Sequence, residues 1–318
     1  MPAPLLPVIH QRRGTIVETV HPWSAVAVQH GKTLVHWGES VRTTWRSACK
    51  PVQLRVSLDV LGQPEVPETW LAVGSSSHSA EPIHLQTVLE ILGRFQSQPE
   101  DLRCGTHLPI SLPAMETILR ANGQFSALHN NCSGKHAFMV AAARHAGWDL
   151  DYLPLEHPLQ QKVLTLVKEL CAAEPITAVD GCGVPTFDLP LEAIARAWSA
   201  IAAAMTREDD LLGKIGRAMA KYPELTSGTD RIDLAVVQHA RLPLAVKVGA
   251  QGVFCMALPA LETGVAIKIH SGVAEALPVA IDHVLTQLWP EGWSPVENWP
   301  ALQVTNVVGR VVGDWLLG

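Results

Sequence analysis

The sequence predicts an α/β protein, a single compact unit over residues 1–318 with two lobes. Three observations predict it. Val- and Thr-rich stretches with loose alternation lie near the start, at 14–37, and again late, at 243–270. Between them run apolar segments with helical spacing, several of them rich in Ala. Neither an internal repeat nor a linker interrupts the chain.

Taken in order, Gly14-Thr-Ile-Val and Ser24 to Gln29, then Lys32 to Trp37, read as paired strands around a turn at Gly31. The first helix is expected over 47–61. Trp70 to Val73 is a short strand or a helix end, and Gly74 to Glu81 is a loop of small polar residues. Helices follow at 84–95, at 112–122 with Gly123 as cap, and at 137–146 with Gly147 as stop. Three more are expected at 158–171, 191–205 and 211–221, with a glycine-rich turn at 179–185. Residues 243–256 and 264–270 read as two strands joined through Gln251-Gly252, and 273–288 as a closing helix. The last thirty residues carry Trp289, Trp293, Trp299 and Trp315, which suits packing on the body or on a partner subunit.

Composition narrows the function. At 47% hydrophobic and 17% charged the chain is unlike a disordered one. A net charge of −6 without a basic run argues against nucleic acid as a partner. A membrane span needs roughly 20 consecutive apolar residues, and no such stretch occurs. The N-terminal Met1 to Pro7 lacks the charged and apolar regions of a secretory leader, so a cytoplasmic location is expected. The six scattered cysteines then read as reduced thiols, some of them ligands.

Four clusters carry candidate chemistry. Arg46-Ser47-Ala48-Cys49-Lys50-Pro51 sets a serine three residues before a lysine, one helical turn apart, where a neutral amine can take the hydroxyl proton. Pro51 is compatible with a first helical turn, where amides lack partners. Ser77-His78, with Glu81, exposes a hydroxyl beside an imidazole; an ordinary surface loop reads the same way. Lys247-Val248-Gly249 puts a lysine on an apolar strand, which is costly unless the amine is paired, neutral or snorkelling at an edge. Cys132, Lys135 and His136, with Asp180 and Cys182, offer two thiols and an imidazole to a metal such as zinc, or simply two buried thiols near glycine turns.

Together these motifs resemble a known family. Arg13-Gly-x-x-x-Glu18-x-x-His21, Arg46-Ser-Ala-x-Lys50-Pro51, Ser77-His78-Ser-x-Glu81, Cys104-Gly-x-His107, Asn131-Cys-Ser-Gly-Lys-His136, Thr177-x-x-Asp180-Gly-Cys182 and Lys247-x-Gly249-Ala250 stand in the order of the Rhizobium etli-type (class 3, asparaginase II family) L-asparaginases. The resemblance runs from about residue 13 to 270, with an echo at Asn306-x-x-Gly309. It implies a serine β-lactamase-like fold, a mixed or antiparallel sheet flanked by helices with a helix-rich lobe. It implies hydrolysis of asparagine to aspartate and ammonia.

By the same resemblance Ser47 with Lys50 forms one Ser–Lys tandem and Ser77 with Lys247 the other. Cys132, Lys135 and Cys182 match zinc ligands. His78, Glu81, Asn131, His136 and Asp180 are the expected substrate-binding residues. Ser271-Gly272 and Ser79-Ala80-Glu81 depart from the family's usual Asp-Gly and Ser-Gly-Glu or Ser-Ser-Glu, which touches substrate preference more than mechanism. Another amidase, a β-lactam or peptide hydrolase on the same scaffold, and a non-catalytic zinc-binding module are the competing readings. The Trp-rich tail and apolar helices suit a homodimer. Which serine attacks first, and asparagine against glutamine, stay open at this level.

Overall fold

The structure, a computed structural model, describes residues 6–296 and 299–318. Residues 1–5, part of the segment read as lacking a leader, and residues 297–298 of the Trp-rich tail lie outside the described residues. The chain runs β1 (Val8–Arg13), β2 (Ile16–Gln29), β3 (Lys32–Trp37), β4 (Arg42–Thr44), a 3₁₀ turn (Arg46–Cys49), α1 (Lys50–Val60), α2 (Glu68–Gly74), α3 (Pro82–Arg94), α4 (Leu112–Arg120), α5 (Ser133–His145) and α6 (Pro158–Cys171). It continues through β5 (Ile176–Val179), β6 (Pro185–Pro190), α7 (Leu191–Met205), α8 (Leu211–Lys221), α9 (Pro223–Thr226), α10 (Ile232–His239), β7 (Ala245–Gly249), β8 (Val253–Leu258), β9 (Thr263–Ile269), α11 (Leu277–Leu288), β10 (Gln303–Thr305) and β11 (Val311–Leu317).

The main sheet has the order β10-β11-β1-β2-β9-β8-β7, with β3 also paired to β2. Every pairing described is antiparallel, so the sheet is antiparallel rather than mixed. Residues 243–270 hold three strands, not the two expected. Gln251 at φ 60° and Gly252 at φ 68° make a tight turn within the first stretch, which folds it into the β7–β8 hairpin. A second sheet, β4-β6-β5, flanks the 3₁₀ turn.

Alternation along the strands divides the core in two. Val253, Cys255 and Ala257 of β8 and Ala266 of β9 face one cluster with the helices α1, α5, α6, α7 and α8. Phe254, Met256, Leu258, Val265 and Ile267 face the other, with α10, α11 and the C-terminal tail. Lys247 shares the side of Ala245, and so faces the helix-rich lobe. Helix α7 lies so close on β9 that a Cβ at Gly264 would come within 2.0 Å of the Ser199 amide nitrogen. Trp289 and Trp293 are buried, and Trp299 and Trp315 pack against the same cluster, so the tail closes this protein's own core. No helix among the described residues is long and apolar enough to cross a membrane.

Candidate active site

Lys50 sits at the junction of the 3₁₀ turn and α1, with Pro51 in the first turn of the helix, where no amide donor is lost. Its amine is fully buried between the Ser76 carbonyl at 2.5 Å, Ser77 Oγ at 2.9 Å and the Asn131 carbonyl at 3.3 Å. The two carbonyls accept only. The amine donates to both of them and to the Ser77 hydroxyl oxygen. Burial lowers the Lys50 pKa from its ordinary value, and the charge of Lys135 works in the same direction.

The resemblance set Ser47 with Lys50 and Ser77 with Lys247. Lys50 bonds to Ser77, and among the described residues no side-chain hydrogen bond joins Ser47 to Lys50 or Ser77 to Lys247. The reason is physical: buried carbonyls demand a donor, and the long lysine stem carries the amine to them. Ser47 stays part-exposed on the 3₁₀ turn, while Ser77 is buried.

Ser77 is held by a loop that is itself buried from Gly74 to Ala80. The Ser77 amide donates to Thr226 O and the His78 amide to Asn131 O. Below the loop, a Cβ at Gly134 would lie 2.2 Å from Val73 O, so only glycine lets α5 approach this closely. His78 accepts from the Ala80 amide at Nδ1, so its Nε2–H donates to Ser133 Oγ at 2.8 Å, and Ser133 donates on to Leu128 O. Burial, and then the neighbouring His84 stacked 5.2 Å away, push its pKa well below the ordinary value. Glu81 caps α3 and accepts from the Thr229 amide and hydroxyl. Both side chains are engaged in holding the loop.

On the strand opposite, Lys247 is fully buried, donates to Val248 O at 2.9 Å and lies 3.7 Å from Asp233 Oδ1. Burial outweighs Asp233 and lowers its pKa to about 7.

The third group forms where the N-terminus of α5 meets the turn between β5 and β6. Lys135 Nζ donates to Cys182 Sγ at 3.2 Å, and Cys132 Sγ donates to Asn131 Oδ1 at 3.0 Å. A hydrogen bond from Cys132, with Lys135 alongside, lowers the Cys182 thiol to about 5. Cys132 keeps the proton and is pushed up to about 12. Burial alone would lower Lys135, but Cys182, Cys132 and Asp180 outweigh it and leave the amine above its ordinary value. Asp180 accepts from Arg46 Nε and from the Gly181 amide, both at 2.8 Å. Arg46 itself is left-handed at φ 52°.

His136 Nδ1 meets the Tyr152 hydroxyl at 3.0 Å. That hydroxyl already accepts from the Arg103 amide, so it gives its own proton to Nδ1. The buried Nε2 then has no partner among the described residues. Burial, then Lys135, lower its pKa to about 3.

Among the described residues no group of three or more His, Cys, Asp and Glu side chains is arranged to hold a metal ion. The donor chemistry of Cys132, Cys182 and Lys135 nevertheless fits a borderline-soft cation such as zinc: two sulfurs, one already ionised, and an amine in contact with it. A separate cavity of about 970 Å³, lined by Glu81, Ile83, Leu112, Ile118, Thr229 and Arg231, does not include Ser47, Ser77 or the buried lysines. Sequence reading assigned no role to Arg46 or Asp233. The first was visible in the Ser47 motif; the second carried no local signal.

The L-asparaginase II family model matches residues 9–316. The chain is thus an asparaginase-type amidohydrolase. It belongs to the L-asparaginase II family. Solved structures similar to it include a β-lactamase from Mycobacterium bovis, at 11% identity and a TM-score of 0.44, covering 83% of this chain and 94% of that one. Another, from Bacteroides dorei, carries a provisional β-lactamase name, with 12% identity, a TM-score of 0.43 and coverage of 84% and 94%. No curated protein matched the sequence.

Proposed function

We propose that this protein hydrolyses the side-chain amide of L-asparagine to aspartate and ammonia by acyl transfer through a serine. The observation that supports it most is the Lys50 amine, buried between two carbonyls and turned to a serine hydroxyl. Ser47, the more accessible hydroxyl, attacks the amide carbon. Its proton passes to neutral Lys50 and through Ser77 Oγ to the leaving nitrogen, which departs as ammonia. Water then cleaves the ester, returning a proton to Ser47 and releasing aspartate. Each proton-transfer group contributes roughly 10²–10⁴-fold. Lys247, when protonated, adds positive charge opposite, and backbone amides of the Ser47 turn receive the oxyanion.

Cys132, Lys135 and Cys182 would hold zinc, with Lys135 giving up its proton to do so. When bound, zinc supplies a Lewis-acidic anchor that orients substrate, because two thiolates already cancel the charge needed to activate water. Asp180 and Arg46 fix the turn beside it, and His136 Nε2–H is a donor in reserve for a substrate oxygen. The protein acts in the cytoplasm as a homodimer, and sedimentation tests the dimer.

Ammonia release from asparagine, with and without added zinc, tests the activity; glutamine and a chromogenic β-lactam in parallel test the competing hydrolases. Ser47→Ala is expected to lose roughly 10³-fold or more in kcat with the fold intact. Undiminished turnover in that variant removes Ser47 as nucleophile and leaves Ser77. Dispensability of both serines would favour the zinc-binding module.

A further inference from the structure

Asp233 stands in the first turn of α10 and is 1% exposed. Its Oδ1 accepts from the Val248 amide at 2.7 Å and lies 3.7 Å from the Lys247 amine. Its Oδ2 is buried with no partner among the described residues. A carboxylate placed so is costly unless a cation faces it. The groups acting on Lys247 are Asp233 from α10, Lys50 from α1, Arg231 ahead of α10, Cys132 at the start of α5 and Cys255 across the β7–β8 hairpin. Asp233 is the carboxylate among them; Lys50 and Arg231 both drive the proton away.

We propose that Asp233 is the positioning residue of Lys247, fixing the lysine's strand through the Val248 amide and helping its amine hold a proton against burial. The assignment rests on the amidohydrolase reading. It distinguishes two buried lysines by environment: a carboxylate faces the Lys247 amine, whereas the Lys50 amine meets two carbonyls and a hydroxyl and lies beside the Cys132 sulfur.

Asp233→Asn separates the two roles, because the amide oxygen still accepts from Val248 while the charge is gone. The limb of the kcat profile set by Lys247 is expected to move down by about one pH unit, with KM within about twofold. A profile that superimposes on the unmodified enzyme's overturns the assignment. Should the Asn variant not fold, Asp233→Glu decides: a limb within about half a unit and a kcat reduced several-fold is expected, whereas undiminished kcat, or a limb displaced as far as for a neutral residue, refutes it. NMR of ¹³Cε-labelled lysine follows Lys247 without turnover. A downward displacement of its titration in Asp233→Asn is expected, and coincident titrations count against the proposal whatever the substrate. Absence of any amide turnover by the unmodified enzyme fails the amidohydrolase reading alone.

Discussion

Lys50, Lys135 and Lys247 are each no more than 2% exposed, yet the regions around them treat the same side chain in opposite ways. Beside the sulfurs of Cys182 and Cys132, the Lys135 amine is held above its ordinary pKa. Among the carbonyls of Ser76 and Asn131, or against a carboxylate at 3.7 Å, Lys50 and Lys247 fall below it. Burial is common to all three. What separates them is the count and distance of anionic neighbours, and that difference splits one polar interior into a region that disfavours charged amines and a region that favours them.

The contrast can be broken from either side. The largest effect is expected from Lys50→Met, which removes the amine that faces Ser77: kcat should fall roughly 10²–10⁴-fold while the melting temperature stays near that of the unmodified protein. A variant retaining most of its turnover would move the base elsewhere. Next comes Cys182→Ala, which strands the Lys135 charge without its thiolate. Urea unfolding in zinc-free buffer should show a loss of about 3 kcal/mol. Cys171→Ala, an equally buried thiol with no amine partner, should cost about 1 kcal/mol. Equal losses would mean that packing, not charge, dominates both.

Zinc sharpens the same region. If Cys132, Lys135 and Cys182 bind it, stripping the loaded protein with a chelator should lower the melting temperature by on the order of 5 °C. An unchanged melting curve at saturating zinc argues against that ligand set.

The same groups make stability depend on pH. Cys182 sits at about 5 in the fold against an ordinary 9.0, and Lys247 at about 7 against 10.5. Between each pair of values the unfolded chain binds the extra proton, so stability rises with pH. Above 9 the thiols of Cys104, Cys132 and Cys171, each pushed up to about 12, act the other way: the folded chain keeps protons that the unfolded one has lost. The urea midpoint should climb from pH 5 to about 9 and then decline. A midpoint flat across that span would mean that these interior groups titrate alike folded and unfolded.

Helices with a full apolar period were legible from the sequence: Pro158–Cys171, Leu191–Met205 and Leu211–Lys221 fall at their expected bounds. Elements whose burial comes from distant partners were not. Val8–Arg13 is polar and charged, and becomes a strand because Ile9 to Arg13 meet Leu317 to Gly313 from the far end of the chain. Arg42–Thr44 is too short to show alternation, and of β5 and β6 only the turn between them was read. In the site, Cys132, Lys135 and Cys182 were foreseen as one group. The Lys50–Ser77 bond was not, since i to i+3 spacing says where a lysine starts but not where four methylenes let its amine end. Asp233 was invisible for a similar reason: its meaning depends on β7, which joins it only in three dimensions.

Arg46 links the two chemistries mechanically. Its backbone is left-handed, its guanidinium is anchored on the β5–β6 turn that carries Cys182, and the next residue is Ser47. A shift of that turn, whether from loss of a sulfur or arrival of a cation, is transmitted through a single strained peptide to the hydroxyl. Metal content should therefore read out in the orientation of a serine that touches no metal.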